Sequence, residues 1–134
     1  MDIALLLWAG AGSALGGMSR FALTRAIQSR LATPFPVATF LINASGSLLL
    51  GFLMQIAMES TALGAEAAVF LTTGFCGGYT TFSTFSYETV RLLQDGDYRR
   101  AAIYAAASVV LALTAVFIGM ALARALLAAR RGAL

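Results

Sequence analysis

Residues 74–85 read Gly74-Phe75-Cys76-Gly77-Gly78-Tyr79-Thr80-Thr81-Phe82-Ser83-Thr84-Phe85. The string lies inside an otherwise apolar passage that begins near Ala65 and ends near Leu93. Gly74, Gly77 and Gly78 lower the cost of unwinding a helix. Thr80, Thr81, Ser83 and Thr84 carry hydroxyls that can bond the backbone groups so freed. In hydrocarbon such groups must be paired, and irregular backbone survives only where protein buries it or water lines it. The string therefore predicts a membrane helix broken near residues 76–82. A kinked helix packed around bulky neighbours is the simpler alternative, but three glycines and four hydroxyl residues exceed what a kink requires.

The composition fits a lipid environment. Sixty per cent of the 134 residues are hydrophobic and 11% charged, whereas a soluble domain carries about 25% charged residues. Four segments are long enough to cross about 30 Å of hydrocarbon, which takes roughly 20 helical residues. The expected fold is all-α and integral to the membrane, a single four-helix domain over residues 1–134. Helices are predicted at about 3–30, 37–58, 65–93 with the break, and 101–128. The opening run has no positive leader and is read as the first span rather than a cleaved signal. Pro34 and Pro36 stop one helix and start the next, and Gln94-Asp95-Gly96-Asp97-Tyr98 marks a turn.

All nine cationic side chains are arginine, against six acids, for a net charge of +3. They flank apolar blocks instead of forming one patch, which argues for interfacial anchoring and against nucleic acid as a partner. With four crossings, Arg25, Arg30, Arg91, Arg99 and Arg100 fall on one side, and Arg124, Arg130 and Arg131 on the other. This division is too even to fix one orientation. Gly12 with Gly16, Ser47 with Gly51, and Gly74 with Gly78 have the spacing of close helix contacts in lipid.

Polar residues recur at helical spacing. Thr39, Asn43 and Ser47 are four apart, as are Tyr104 and Ser108, with Ala112 continuing that face without polarity. Asn43 is expensive in lipid unless paired; it serves as interhelical glue or as a donor to an anion. Phe82 and Phe85 share one face of a resumed helix, and the ring edges carry positive potential. Arg20 lies near the end of the first span, where it can snorkel or line an anion-attracting vestibule. Glu88 in the third passage calls for an arginine partner or a backbone to cap. The absence of His, the scattered acids and the lone Cys76 leave no catalytic set and no zinc or haem spacing. The first span also lacks the embedded carboxylate of a proton-coupled exporter. Donor chemistry favours anion passage. A small multidrug-type secondary transporter and a non-conducting structural membrane protein are the alternatives.

Gly16-Gly17-Met18-Ser19-Arg20-Phe21, Asn43-Ala44-Ser45-Gly46-Ser47 and the string at 74–85 together resemble the CrcB/Fluc family of small bacterial fluoride channels, nearly end to end. The resemblance implies an antiparallel, dual-topology homodimer in the bacterial inner membrane. It further implies two fluoride paths per dimer and passive fluoride efflux that limits toxicity. It implies that Phe82 and Phe85 line the path with Asn43 and Ser108, accompanied by Thr39, Ser83 and Tyr104. Arg20 matches a vestibule arginine, and Glu88 matches an acid in the second half of the third passage. The resemblance also implies a structural Na⁺ at the dimer centre, held by the backbone carbonyls of Gly77 and Thr80. Ala112 stands where some relatives carry a second hydroxyl.

Overall fold

The computed structural model describes residues 2–132. Its described residues form helices α1 (Ile3–Gln28), α2 (Val37–Glu59) and α3 (Ala65–Val69), a π-helical segment (Phe70–Cys76), α4 (Gly77–Tyr79), α5 (Phe82–Gln94) and α6 (Tyr98–Gly132). α3, the π segment, α4 and α5 form one discontinuous third passage between the long helices.

Local chemistry sets the ends. The Asp2 carboxylate accepts from the Ala4 amide at 3.0 Å and caps α1. Pro36 immediately precedes α2, where its missing N–H costs nothing. After α5 the chain turns at Gly96, the one described residue with a positive φ, at 78°. The Gly96 amide donates to the Leu93 carbonyl and the Asp97 amide to the Leu92 carbonyl, the paired bonds of a Schellman stop. Asp97 then caps α6, with Oδ1 accepting from the Arg100 amide at 3.1 Å.

The break is narrower than the sequence suggested. Only Thr80 (φ −81°, ψ 162°) and Thr81 (φ −153°, ψ 115°) leave the helical region. Upstream, the π segment was not foreseen. There the hydrogen bonds close over five residues instead of four, which widens the helix locally.

The passage changes partner at the break. Before it, the π segment and α4 pack on α1; after it, α5 packs chiefly on α6. α2 lies along α6. Both pairings depend on near backbone contact. A Cβ on Gly12 would stand 2.8 Å from the Phe75 amide nitrogen, and one on Gly78 2.8 Å from the Ser13 Cα. A Cβ on Gly119 would meet the backbone of Leu48 and Phe52 across the α2–α6 seam. The glycine spacing in the sequence thus serves helix contact, as expected for packing in lipid.

The interior is thin. Tyr104, Ile42 and Cys76 are the largest fully buried side chains among the described residues, while Leu7, Trp8, Phe21, Val110 and Phe117 are exposed. α2 and α6 are long and apolar enough to span a membrane, and only 28% and 11% of their most apolar windows are buried. A core helix of a soluble protein would be mostly covered. This outward apolarity matches lipid as the surrounding solvent.

Candidate functional site

The site is built around the break. Asn43, in the second turn of α2, holds Thr81 with its side-chain amide. Thr81 N donates to Asn43 Oδ1 at 2.8 Å, and Asn43 Nδ2 donates to the Thr81 carbonyl at 3.1 Å. Both backbone groups left without helical partners at Thr81 are thereby satisfied. The Thr81 hydroxyl accepts from the Thr84 amide at 3.1 Å and caps α5. Thr80 completes the end of α4, its amide and hydroxyl each donating to the Cys76 carbonyl at 3.0 Å. Its methyl sits where a side chain on Gly46 would be. Tyr79 stacks on Phe75 with ring centroids 5.8 Å apart and shares a 3.0 Å hydrogen bond with Ser45.

A groove of about 220 Å³ runs beside this break. Asn43, Thr80, Thr81, Phe82, Phe85 and Ser108 are among its walls. The groove therefore gathers four of the residues expected along an anion path: Asn43, Phe82, Phe85 and Ser108. The Phe82 and Phe85 rings are 5.5 Å apart and inclined at 44°. Phe82 is 78% exposed, whereas Phe85 leans inward on Tyr104 at 5.2 Å. The Ser108 hydroxyl is buried and has no hydrogen-bond partner among the described residues. An unpaired buried hydroxyl is costly, and this one lines the same groove as the Asn43 amide, which has a second N–H beyond the one given to Thr81. Ala112 also lines the groove.

The other expected residues lie apart. Thr39 Oγ1 donates to Glu88 Oε1 at 2.9 Å, and the Tyr104 hydroxyl donates to Glu88 Oε2 at 2.7 Å. Glu88 is thus held by two hydroxyls, where the sequence suggested an arginine or a backbone cap. Ser83 is exposed, with its hydroxyl 3.3 Å from that of Thr81, and does not line the groove. Arg20 is tied to the break: its Nε donates to the Gly78 carbonyl at 3.2 Å. It shares a second cavity, about 290 Å³, with Thr39, Thr84 and Glu88.

The sodium expectation is corrected. Among the described residues no group of three or more His, Cys, Asp or Glu side chains is placed to hold a metal ion. Around Gly77 and Thr80 the neighbouring carbonyls already have donors: Cys76 from Thr80, Gly78 from Arg20, and Thr81 from Asn43. The Arg20 guanidinium beside the break also disfavours a second cation. Na⁺ is therefore withdrawn as a cofactor of this chain.

A family model described as "CrcB-like protein, Camphor Resistance (CrcB)" matches residues 7–120. The chain belongs to the CrcB/FluC family. The match spans α2, the whole broken passage and most of α1 and α6. A "Fluoride-specific ion channel FluC" of Chlorobaculum tepidum is 44% identical over 119 residues, covering 89% of this chain and 94% of the relative. A protein of the same name from Thermus thermophilus is 41% identical over 126 residues, covering 94% and 98%. That of Rhizobium meliloti is 42% identical over 121 residues, covering 90% and 97%. These are names of channels and not of enzymes. Family membership and the outward-facing apolar helices make the chain an integral membrane protein.

The sequence pointed to the break but not to Thr81 as the residue gripped by Asn43. The signal was present, since an amide in lipid and a pair of freed backbone groups each require a partner. Nothing local announced that Thr39 and Tyr104 would meet on Glu88.

Proposed function

We propose that the chain is a fluoride-selective channel that lets fluoride leave the cytoplasm passively across the bacterial inner membrane, limiting its toxicity. Residues 1–134 act as one four-helix unit with four crossings. Two copies pack in opposite orientations and provide two paths. The weak bias of the flanking arginines, five on one side and three on the other, is compatible with an assembly in which both orientations occur. The rows of exposed apolar side chains on α1 and α6 supply surface for lipid and a second copy.

The observation that carries the reading is the groove beside the break. An ion leaving water needs donors in place of its shell. Here the Asn43 amide, the unpaired Ser108 hydroxyl and the edges of Phe82 and Phe85 converge without a fixed negative charge among the lining residues. Phe82, Phe85, Asn43 and Ser108 line the path. Thr39, Ser83 and Tyr104 extend or support it, with Glu88 held by Thr39 and Tyr104. Arg20 favours anion entry from the adjoining cavity. Fluoride as the anion is supported by the relatives' names, each a fluoride-specific ion channel.

The test is efflux from proteoliposomes loaded with KF and KCl, triggered by valinomycin and followed with ion-selective electrodes. Rapid fluoride loss with chloride retained is expected. Retention of fluoride by folded, reconstituted protein overturns the proposal.

A further inference from the structure

α2 and α6 run in the same direction and end together. Gly119 packs by Leu48 and Phe52, and further along Arg131 Nη2 donates to the Glu59 carbonyl at 3.3 Å. Between the two ends lies an open groove of about 640 Å³, set apart from the groove at the break. Its walls include Met58, Ser60, Thr61, Leu127, Arg130 and Arg131. α2, apolar and 23 residues long, has the length of one crossing, which puts its Glu59 end, and the stretch of α6 beside it, near the lipid headgroups.

The charges there are unbalanced. Glu59 is the one acid in the walls, and it faces Arg124, with Arg124 Nε 3.6 Å from Glu59 Oε1. Its Oε1 also accepts from Gln55 Nε2. Arg130 and Arg131 have no carboxylate within ion-pair distance among the described residues. Arg131 uses one N–H to neutralise the carbonyl end of α2; a guanidinium has five. Planar guanidiniums match phosphate oxygens in pairs, and Met58 and Leu127 offer an apolar flank to a glyceride chain.

We propose that this groove binds the phosphodiester of an anionic membrane lipid, with Arg130 and Arg131 on the phosphate, the Thr61 hydroxyl beside them, and the acyl end along Met58 and Leu127. The site is independent of the ion path and stands whether or not the chain conducts fluoride.

The experiment is native mass spectrometry of the full chain in detergent, titrated with phosphatidylglycerol, with phosphatidylcholine, and with inorganic phosphate. Phosphatidylglycerol adducts are expected to persist at concentrations where phosphatidylcholine adducts are lost. R130Q/R131Q is expected to weaken phosphatidylglycerol binding about tenfold or more, since each basic residue near a membrane surface contributes on the order of fivefold. R130Q alone, which removes no hydrogen bond between described residues, is expected to weaken it by about that single step with an unchanged melting profile. R99Q, an arginine at the opposite end of α6, is expected to leave it unchanged. Equal binding of the two lipids, an equal loss in R99Q, unaltered binding in R130Q and R130Q/R131Q, or displacement of the lipid by inorganic phosphate overturns the assignment.

Discussion

The Asn43 side chain and the Thr81 backbone form a closed pair of hydrogen bonds, Thr81 N to Oδ1 at 2.8 Å and Nδ2 to Thr81 O at 3.1 Å. One amide thus replaces the two helical bonds lost at the break and also presents a wall of the groove.

Asn43→Asp keeps the acceptor and replaces the donor with an oxygen facing the Thr81 carbonyl. It also sets a negative charge beside the anion path. Asn43→Ser keeps a small polar group without that charge. Asn43→Asp is expected to abolish fluoride flux, and Asn43→Ser to reduce it less. Both lose stability, by about 1–3 kcal/mol for each buried group left unpaired. Flux in proteoliposomes and melting in detergent separate the two effects; equal flux in both variants argues against proximity to the ion.

Phe82→Ile and Phe85→Ile keep apolar bulk and remove the polarised ring edge. Each is expected to cut fluoride flux at least about tenfold, if a ring edge contributes as much as a weak hydrogen bond to an ion. Their stabilities differ. Phe82 is largely exposed, so its loss changes melting little, whereas Phe85 packs on Tyr104 and costs about 0.5–1.5 kcal/mol beyond burial. Full flux in both variants refutes the ring-edge role.

Ser108→Ala removes a buried hydroxyl that has no partner among the described residues. Such a removal is expected to leave stability unchanged or slightly raised, because no hydrogen bond is lost. Flux is expected to fall if the ion takes that hydroxyl as a donor. A variant with lower stability and normal flux shows instead that the hydroxyl has a structural partner.

Gly16→Val forces a side chain against the Phe75 carbonyl, whose oxygen would overlap the added Cβ. Gly17, next along α1, has open space there. Gly16→Val is expected to destabilise by more than about 3 kcal/mol, at the upper end for overpacking, and to lower the yield of folded protein. Gly17→Ala is expected to be tolerated. Gel-filtration profiles and melting of the two variants check the contrast.

Much of this arrangement follows from residue types. Gly77, Gly78, Thr80 and Thr81 announced the break because each lowers the cost of leaving a helix or satisfies a freed group. The turn at Gly96 was legible because Asp-Gly-Asp supplies a left-handed stop and a cap. Helix ends were less so: α6 starts at Tyr98 and runs to Gly132, beyond the expected 101–128, because Asp97 caps it and its arginine-bearing tail stays helical. The π segment was hidden, since wider hydrogen bonding is a choice of register that no residue in Phe-Leu-Thr-Thr-Gly-Phe-Cys demands. Thr39 and Asn43 were correctly read as sharing a face. Their separate fates, on Glu88 and on Thr81, depend on long-range packing that periodicity does not encode. The sodium expectation rested on the Gly77 and Thr80 carbonyls; no metal-holding cluster lies among the described residues, and the carbonyls beside those two, of Cys76, Gly78 and Thr81, are taken by Thr80, Arg20 and Asn43.

The π segment has one more consequence. Each residue of an ordinary helix advances the face by about 100°, so a single extra residue resets the phase of everything that follows. Seven residues of wide helix immediately before the threonines therefore act as a vernier. They shift the phase of α4 relative to α3, and with it the direction in which Gly78 meets Ser13 of α1 before the chain leaves the helix at Thr80.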